Sequence, residues 1–352
     1  MNLAIIAITR NGARLGARLQ AGRPDAQLFV LQRFVADGGP QATAFSGELR
    51  ALVGSLWGRY RGFAFIMATG IVVRMVAPHL AGKGSDPAVV VLDEAGRFAV
   101  SLVAGHLGGA NRLAEELAAA VGGTPVITTA TDVNGLTAWD EAARQAGLRV
   151  EPLVHIKHLN SLLLEGGRIA LVDRRSRVAP LFAGTPGIEL HTTFSAALQS
   201  GAEGLIFVTH RLLPDLERRP NLLLLRPPDL VVGIGCNRGT GADEIEAAVT
   251  GELSRALLSF ASVGRLASVA EKTDESGLIE FAARHALPIE FYPAERLNAV
   301  AVPSPDSPHA LEAIGARGVC EPAAVLAAGG GPLLITKKKC GNVTVAVAER
   351  LD

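Results

Sequence analysis

The sequence predicts an α/β protein: two or three α/β domains with mainly parallel sheets, the last ending in a β-hairpin. Three observations predict it. Short, continuous apolar runs such as LAIIAIT, AVVVL and LVVGIG recur along the chain, as strands buried on both faces require. Helical patterns alternate with them, which argues for a parallel sheet covered on both sides. Of the 352 residues, 49% are hydrophobic but only 5% aromatic, and 39 are glycine, a composition of small-residue packing rather than disorder.

Each element follows from local pattern. Residues 3–9 read as a first buried strand, and Asn11-Gly12 turns the chain into a helix over 13–19. A polar, glycine-rich stretch lies at 37–40 and a helix pattern at 47–57. A strand is expected over 63–67, a helix over 70–80, and strands over 88–92 and 98–103, separated by the turn 93–96. Residues 110–121 form an amphipathic helix ended by Gly122-Gly123. A strand over 126–129 and a helix over 138–145, closed by Gly147, complete this part.

Patterning is weaker over 151–228. A helix is expected near 155–164 and strands over 169–172 and 205–208, with a basic turn at 174–177. Pro220 and Pro227-Pro228 read as a linker. The pattern then restarts: strand 230–235, helix 242–254, strand 265–269, helix 275–285, strands 288–291 and 300–302, and helix 322–328. Residues 333–337 and 343–347 flank Cys340-Gly341-Asn342 as a terminal hairpin. The expected division is an N-terminal α/β domain over 1–135, a central α/β region over 136–228, and a C-terminal α/β domain over 229–352.

Charge and cysteine content narrow the function. Lys plus Arg and Asp plus Glu both number 34, which argues against a general nucleic-acid binder. The balance hides an uneven spread: residues 1–84 hold ten basic and three acidic residues. That excess suits an anionic ligand or simple solubility. Cys236, Cys320 and Cys340 form no CxxC pair and no even set, as in a reducing cytoplasm. No apolar run reaches the ~18 residues that span a bilayer. The N-terminal apolar stretch is too short for a signal-peptide core.

Five segments carry polar groups at strand ends. In Met67-Ala68-Thr69-Gly70, followed by Arg74, a helix N-terminus can hold an anion and Arg74 a carboxylate; a packing turn that needs glycine is the alternative. Lys83 and Asp86 stand across a glycine turn and converge on one site, unless Asp86 only caps the turn. His106 lies in the glycine-rich turn Gly105-His106-Leu107-Gly108-Gly109 ahead of Asn111, expected at the carboxyl end of the sheet, where open α/β sheets bind ligands. Its ring suits proton transfer, although a lone histidine is often structural. Thr129, Thr131 and Asp132 offer hydroxyls and a carboxylate, for a substrate, for His106 or for capping. Gly235-Cys236-Asn237-Arg238-Gly239-Thr240 lacks the lysine of a P-loop and the third glycine of a dinucleotide fingerprint. It remains an anion nest, with Cys236 either nucleophile or small buried thiol and Lys272 a further charged group. No segment shows metal-ligand spacing.

Together, ATGIVVRMVAPHL, DPAVVVLDE, SLVAGHLGGAN, TPVITTATD, GIGCNRGT and CEPAAVLAAG resemble the CbiG family, the cobalt-precorrin-5A hydrolases, along essentially the whole chain. The resemblance implies anaerobic cobalamin biosynthesis. Water would open the δ-lactone of a cobalt tetrapyrrole, acetaldehyde would leave, and cobalt-precorrin-5B would form. Cobalt comes with the substrate, so no cofactor is implied. A polyanionic substrate would meet Arg74, Lys83 and Arg238, and the other strand-end groups named above would line its site. His106 is expected to act as general base, oriented by Asp132 or Asp86, with backbone N–H groups of 108–111 or of Thr69-Gly70 holding the oxyanion. No nucleic acid or membrane is expected as partner; a homodimer or transient contact with neighbouring pathway enzymes stays open. The competing reading is a corrinoid carrier without chemistry.

Overall fold

The computed structural model describes residues 2–82 and 84–351. The chain divides into two compact units, one of residues 1–144 with 163–166, the other of 145–162 with 167–352.

The first unit is built on a seven-stranded sheet. Its strands are β1 (Leu3–Ala7), β2 (Ala26–Leu31), β3 (Thr43–Phe45), β4 (Gly62–Ile66), β5 (Ala88–Leu92), β6 (Phe98–Val103) and β7 (Thr124–Val126), in the order β3-β2-β1-β4-β5-β6-β7. Its helices are α1 (Arg10–Ala21), α2 (Leu49–Leu56), α3 (Thr69–Val76), α4 (Ala110–Val121), α5 (Ala130–Val133) and α6 (Trp139–Gln145). Alternation along β1 sorts the two faces. Leu3, Ile5 and Ala7 pack with Leu15 and Leu19 of α1 and Leu113 and Leu117 of α4. Ala4 and Ile6 join Val53 and Leu56 of α2 and Val72 and Val76 of α3. Thr9 caps α1, its hydroxyl accepting from the Gly12 N–H at 3.1 Å.

One reversal matters for function. Strands β1 to β5 are mutually parallel, but β5 pairs antiparallel with β6, Leu92 opposite Ala99 and Val89 opposite Val103. Strand β7 is parallel to β6. The loops after β6 and β7 therefore open at the rim where β1 to β5 begin. The sequence expectation put His106 at their carboxyl ends; the turn at 93–96 puts it at the other rim. Strand β5, at five residues, separates the two rims by about 17 Å.

The second unit holds two five-stranded sheets. The first comprises β8 (Arg149–Glu151), β9 (Ile169–Val172), β10 (Ile188–His191), β11 (Gly204–Val208) and β12 (Leu222–Arg226), in the order β10-β9-β11-β12-β8, with only β8 antiparallel. Helices α7 (Ile156–Leu164) and α8 (Phe194–Gln199) belong to the same stretch of chain. The expected linker is in fact β12. Its prolines lie outside the ladder, so no sheet N–H is lost, and its LLLL run is buried. Arg226 ends that strand 1% exposed, paired with Glu151 at 2.8 Å and Glu217 at 3.2 Å.

The last sheet comprises β13 (Leu230–Cys236), β14 (Val263–Val269), β15 (Ile289–Tyr292), β16 (Leu333–Cys340) and β17 (Val343–Glu349), in the order β15-β14-β13-β17-β16. The chain adds α9 (Ala242–Arg255), α10 (Ser276–Arg284), α11 (Ala294–Asn298), α12 (Pro308–Ile314) and α13 (Cys320–Ala327). The terminal hairpin forms as expected, with Cys340 opposite Val343 across a two-residue turn. The expected strand at 300–302 is irregular instead. Pro303, Pro305 and Pro308 follow it and bring no ladder donors. Gly233 lets α13 press onto β13: a Cβ there would lie 1.8 Å from the Cys320 carbonyl oxygen.

Candidate active site

The rim at the carboxyl ends of β1 and β4 carries Thr69, Gly70 and Arg74. The Arg74 guanidinium folds back and donates to the Gly70 carbonyl at 2.8 Å. This rim is not where His106 sits, so the structure does not bring these three residues together with it. Thr9 donates to Glu94 at 2.8 Å on the same rim.

At the opposite rim, β6 runs into a tight loop that presents His106. The loop closes on itself: Gly109 N–H donates to the His106 carbonyl at 2.9 Å, Ala110 N–H to Ala104 at 3.1 Å and Asn111 N–H to Gly105 at 3.1 Å. Those three donors, expected for an oxyanion, are thereby occupied. Gly108 is required by close approach, since a Cβ would lie 2.4 Å from Ala104 Cβ and 3.2 Å from the Asp86 carbonyl oxygen. Asp86 thus reaches the loop with its backbone only. Its carboxylate accepts from Ala81 N–H at 2.8 Å and Gly82 N–H at 3.1 Å, so it does not orient His106. Lys83 lies outside the described residues.

His106 stands between two carboxylates. Its Nε2 is 2.8 Å from Asp132 Oδ2, on α5, and its Nδ1 is 3.4 Å from Asp140 Oδ2, on α6. The Thr131 hydroxyl lies 3.5 Å from Nε2. Behind Asp132 a chain of polar groups fixes its position. Ser101 donates to Asn111 Oδ1 at 2.6 Å, and Asn111 Nδ2 donates to Asp132 at 3.1 Å and to the Thr129 hydroxyl at 3.2 Å. Both ring nitrogens face a carboxylate oxygen, an arrangement that favours the doubly protonated ring. Burial works against that charge, but the hydrogen bonds to Asp140 and Asp132, and their charges, outweigh it and raise the His106 pKa to about 9. The sequence led to the expectation of a base; the two facing carboxylates favour the protonated ring.

The glycine-rich loop after β13 forms a second polar group. Gly239 N–H donates to Glu275 at 2.8 Å, and Lys272 Nζ donates to the same carboxylate at 3.0 Å. Burial alone would raise the Glu275 pKa; the Lys272 ammonium and the Gly239 N–H reverse this and hold it below the ordinary carboxylate range. The nest read from the sequence is filled by the protein's own anion. Thr240 donates to the Asn237 carbonyl at 2.8 Å, and a Cβ on Gly235 would meet the Thr344 hydroxyl at 2.6 Å, so both residues serve the loop's own packing. Burial pushes the Cys236 thiol up, which makes it a poor nucleophile. Arg238 pairs with Asp274 at 2.7 Å in solvent, a partner that a ligand carboxylate can replace.

His210, Asp229 and Glu349 place one ligand atom each within 4.8 Å. Arg175 meets both carboxylates and Arg177 meets Asp229, so the group is balanced as an ion-pair network.

Comparison with known proteins decides the family. The model described as "Cobalamin synthesis G N-terminal" matches residues 51–132, "Cobalamin biosynthesis central region" residues 137–227, and "Cobalamin synthesis G C-terminus" residues 230–348. A Priestia megaterium protein named cobalt-precorrin-5A hydrolase is 35% identical, over 98% of this chain and 94% of its own. The chain belongs to the CbiG family. A Salmonella typhimurium LT2 protein of the same name is 32% identical, over 99% of this chain and 98% of its own. A Sinorhizobium sp. protein named CobE is 33% identical over 34% of this chain and 79% of its own.

Within this CbiG chain, His106 and Asp132 lie in the N-terminal match and Asp140 in the central one. The sequence reading missed Asp140; it named the charged segment from Lys272 to Glu275, as a functional or merely solvated group, without seeing that the two pair. Asp140 had one signal: it begins a helix eight residues after Asp132, beside Trp139, which is fully buried. Glu275, three residues after Lys272, follows the spacing of a helix-start ion pair. Among the described residues no helix is long and apolar enough to cross a membrane.

Proposed function

We propose that this chain is a cobalt-precorrin-5A hydrolase of cobalamin biosynthesis. It opens the δ-lactone of a cobalt-bound tetrapyrrole with water, releases acetaldehyde and gives cobalt-precorrin-5B. The observation that carries this reading is the match over nearly the full length of two proteins of that name. The His106 cluster supports it chemically. Lactone opening moves a proton off water and another onto the departing alcohol oxygen, and the cluster holds an acid and carboxylates within hydrogen-bond reach of one another. Arg238, with its exchangeable partner, is our candidate for a peripheral carboxylate of the substrate. Cobalt arrives within the substrate, and the reading assigns no cofactor to the protein. Three free cysteines support a cytoplasmic setting.

The test mixes purified protein with cobalt-precorrin-5A and measures acetaldehyde. The expected result is release by the wild type and a loss of about 100-fold or more in His106→Ala. Tight binding of the substrate by the wild type with no acetaldehyde would make the protein a carrier and sink the hydrolase reading.

A further inference from the structure

Histidines that act as bases in hydrolysis keep one ring nitrogen free. His106 does not: a carboxylate faces each nitrogen. The two carboxylates differ in setting. The Asp140 side chain is 10% exposed and sits at the start of α6, whose Trp139, Ala142 and Ala143 are fully buried. The Asp132 side chain is 34% exposed, on the four-residue α5. One is nearly buried on a packed helix; the other is partly exposed.

We propose that Asp140 is a positioning residue for the hydrolysis: from the Nδ1 side it fixes the His106 ring and keeps both nitrogens protonated, so that His106 acts as the acid through Nε2 and Asp132 as the base. This rests on the hydrolase reading above. Asp132 accepts a proton from water. The water oxygen forms a bond to the lactone acyl carbon, and the acyl carbon–oxygen bond to the macrocycle breaks. Its electron pair goes to the departing alcohol oxygen, which takes the Nε2 proton. Asp132 then returns its proton to Nε2 across the 2.8 Å contact, restoring the imidazolium. The sum is lactone plus water giving a hydroxy acid, with no co-reactant.

The groups facing the ring fit these roles. Asp132 and the Thr131 hydroxyl approach from α5, and Asp140 from α6. Asp86, in the loop before β5, turns its carboxylate to its own loop. Against the cost of burial, the hydrogen bonds to Asp140 and Asp132, with their charges, raise the His106 pKa to about 9.

The experiment has two arms. The first needs no substrate: the His106 ring is titrated by NMR in the wild type, in Asp140→Asn and in Asp140→Glu. The expected midpoint is about 9 in the wild type, lower by about 1–2 pH units in Asp140→Asn, and largely restored in Asp140→Glu. The second arm follows kcat for acetaldehyde release against pH. Its alkaline limb should move down with the titration in Asp140→Asn, kcat near pH 9 should fall about 10-fold, and KM should stay within about twofold. A wild-type ring that titrates near 6.5 overturns the proposal without any variant. So does an alkaline limb that stays in place when Asp140 is neutralised. Absence of acetaldehyde from the wild type at every pH overturns the hydrolase reading instead, while the titration still reports on Asp140.

Discussion

His106 ties stability to pH. Its folded pKa is raised from the ordinary 6.5 to about 9, so the stabilisation is fully present below pH 6.5 and is lost as pH rises through 9. We expect wild type and His106→Gln to differ most in urea midpoint near pH 6, and the gap to shrink by pH 9.5. A gap that widens with pH would reverse the assignment of charge. The residue types at this cluster were readable from the sequence. His106, Asn111, Thr129, Thr131 and Asp132 all stood out at strand ends and all meet in space. Their protonation state was not readable, because it depends on Asp140, a carboxylate from the next helix that no spacing rule links to a histidine 34 positions earlier.

At the scale of elements, apolar runs located the buried strands β1, β5 and β13 well. They did not report direction, since hydrophobicity is the same read either way. Direction was nonetheless encoded: only five residues join β5 to β6, and a parallel crossover needs a dozen or more. Short strands such as β3 and β7 were hard to read because three residues give too little pattern. The strand β13 also illustrates how glycine sets a helix–sheet distance. Gly233→Ala would drive a methyl group into the Cys320 carbonyl. We expect a loss of about 3 kcal/mol or more, read as a lowered Tm or as insoluble protein. A soluble variant with wild-type Tm would show that α13 can lift off the strand at little cost.

For the whole molecule, zero net charge conceals a basic first segment, ten basic against three acidic residues over 1–84. With a polyanionic substrate, that excess should aid association at low ionic strength. Raising salt from about 50 to 500 mM is expected to increase KM while kcat changes little. A salt-independent KM would leave those arginines as solubility groups.

The antiparallel pairing of β5 with β6 has a further consequence. It acts as a change of parity. Loops that follow β1 to β5 open on one rim, and loops that follow β6 and β7 open on the other, until another reversal occurs. One sheet thereby presents two chemically separate margins, one bearing Thr9 and Glu94, the other His106 and Asp132. About 17 Å of buried strand separates the two margins, so a substitution at one leaves the side-chain contacts of the other in place.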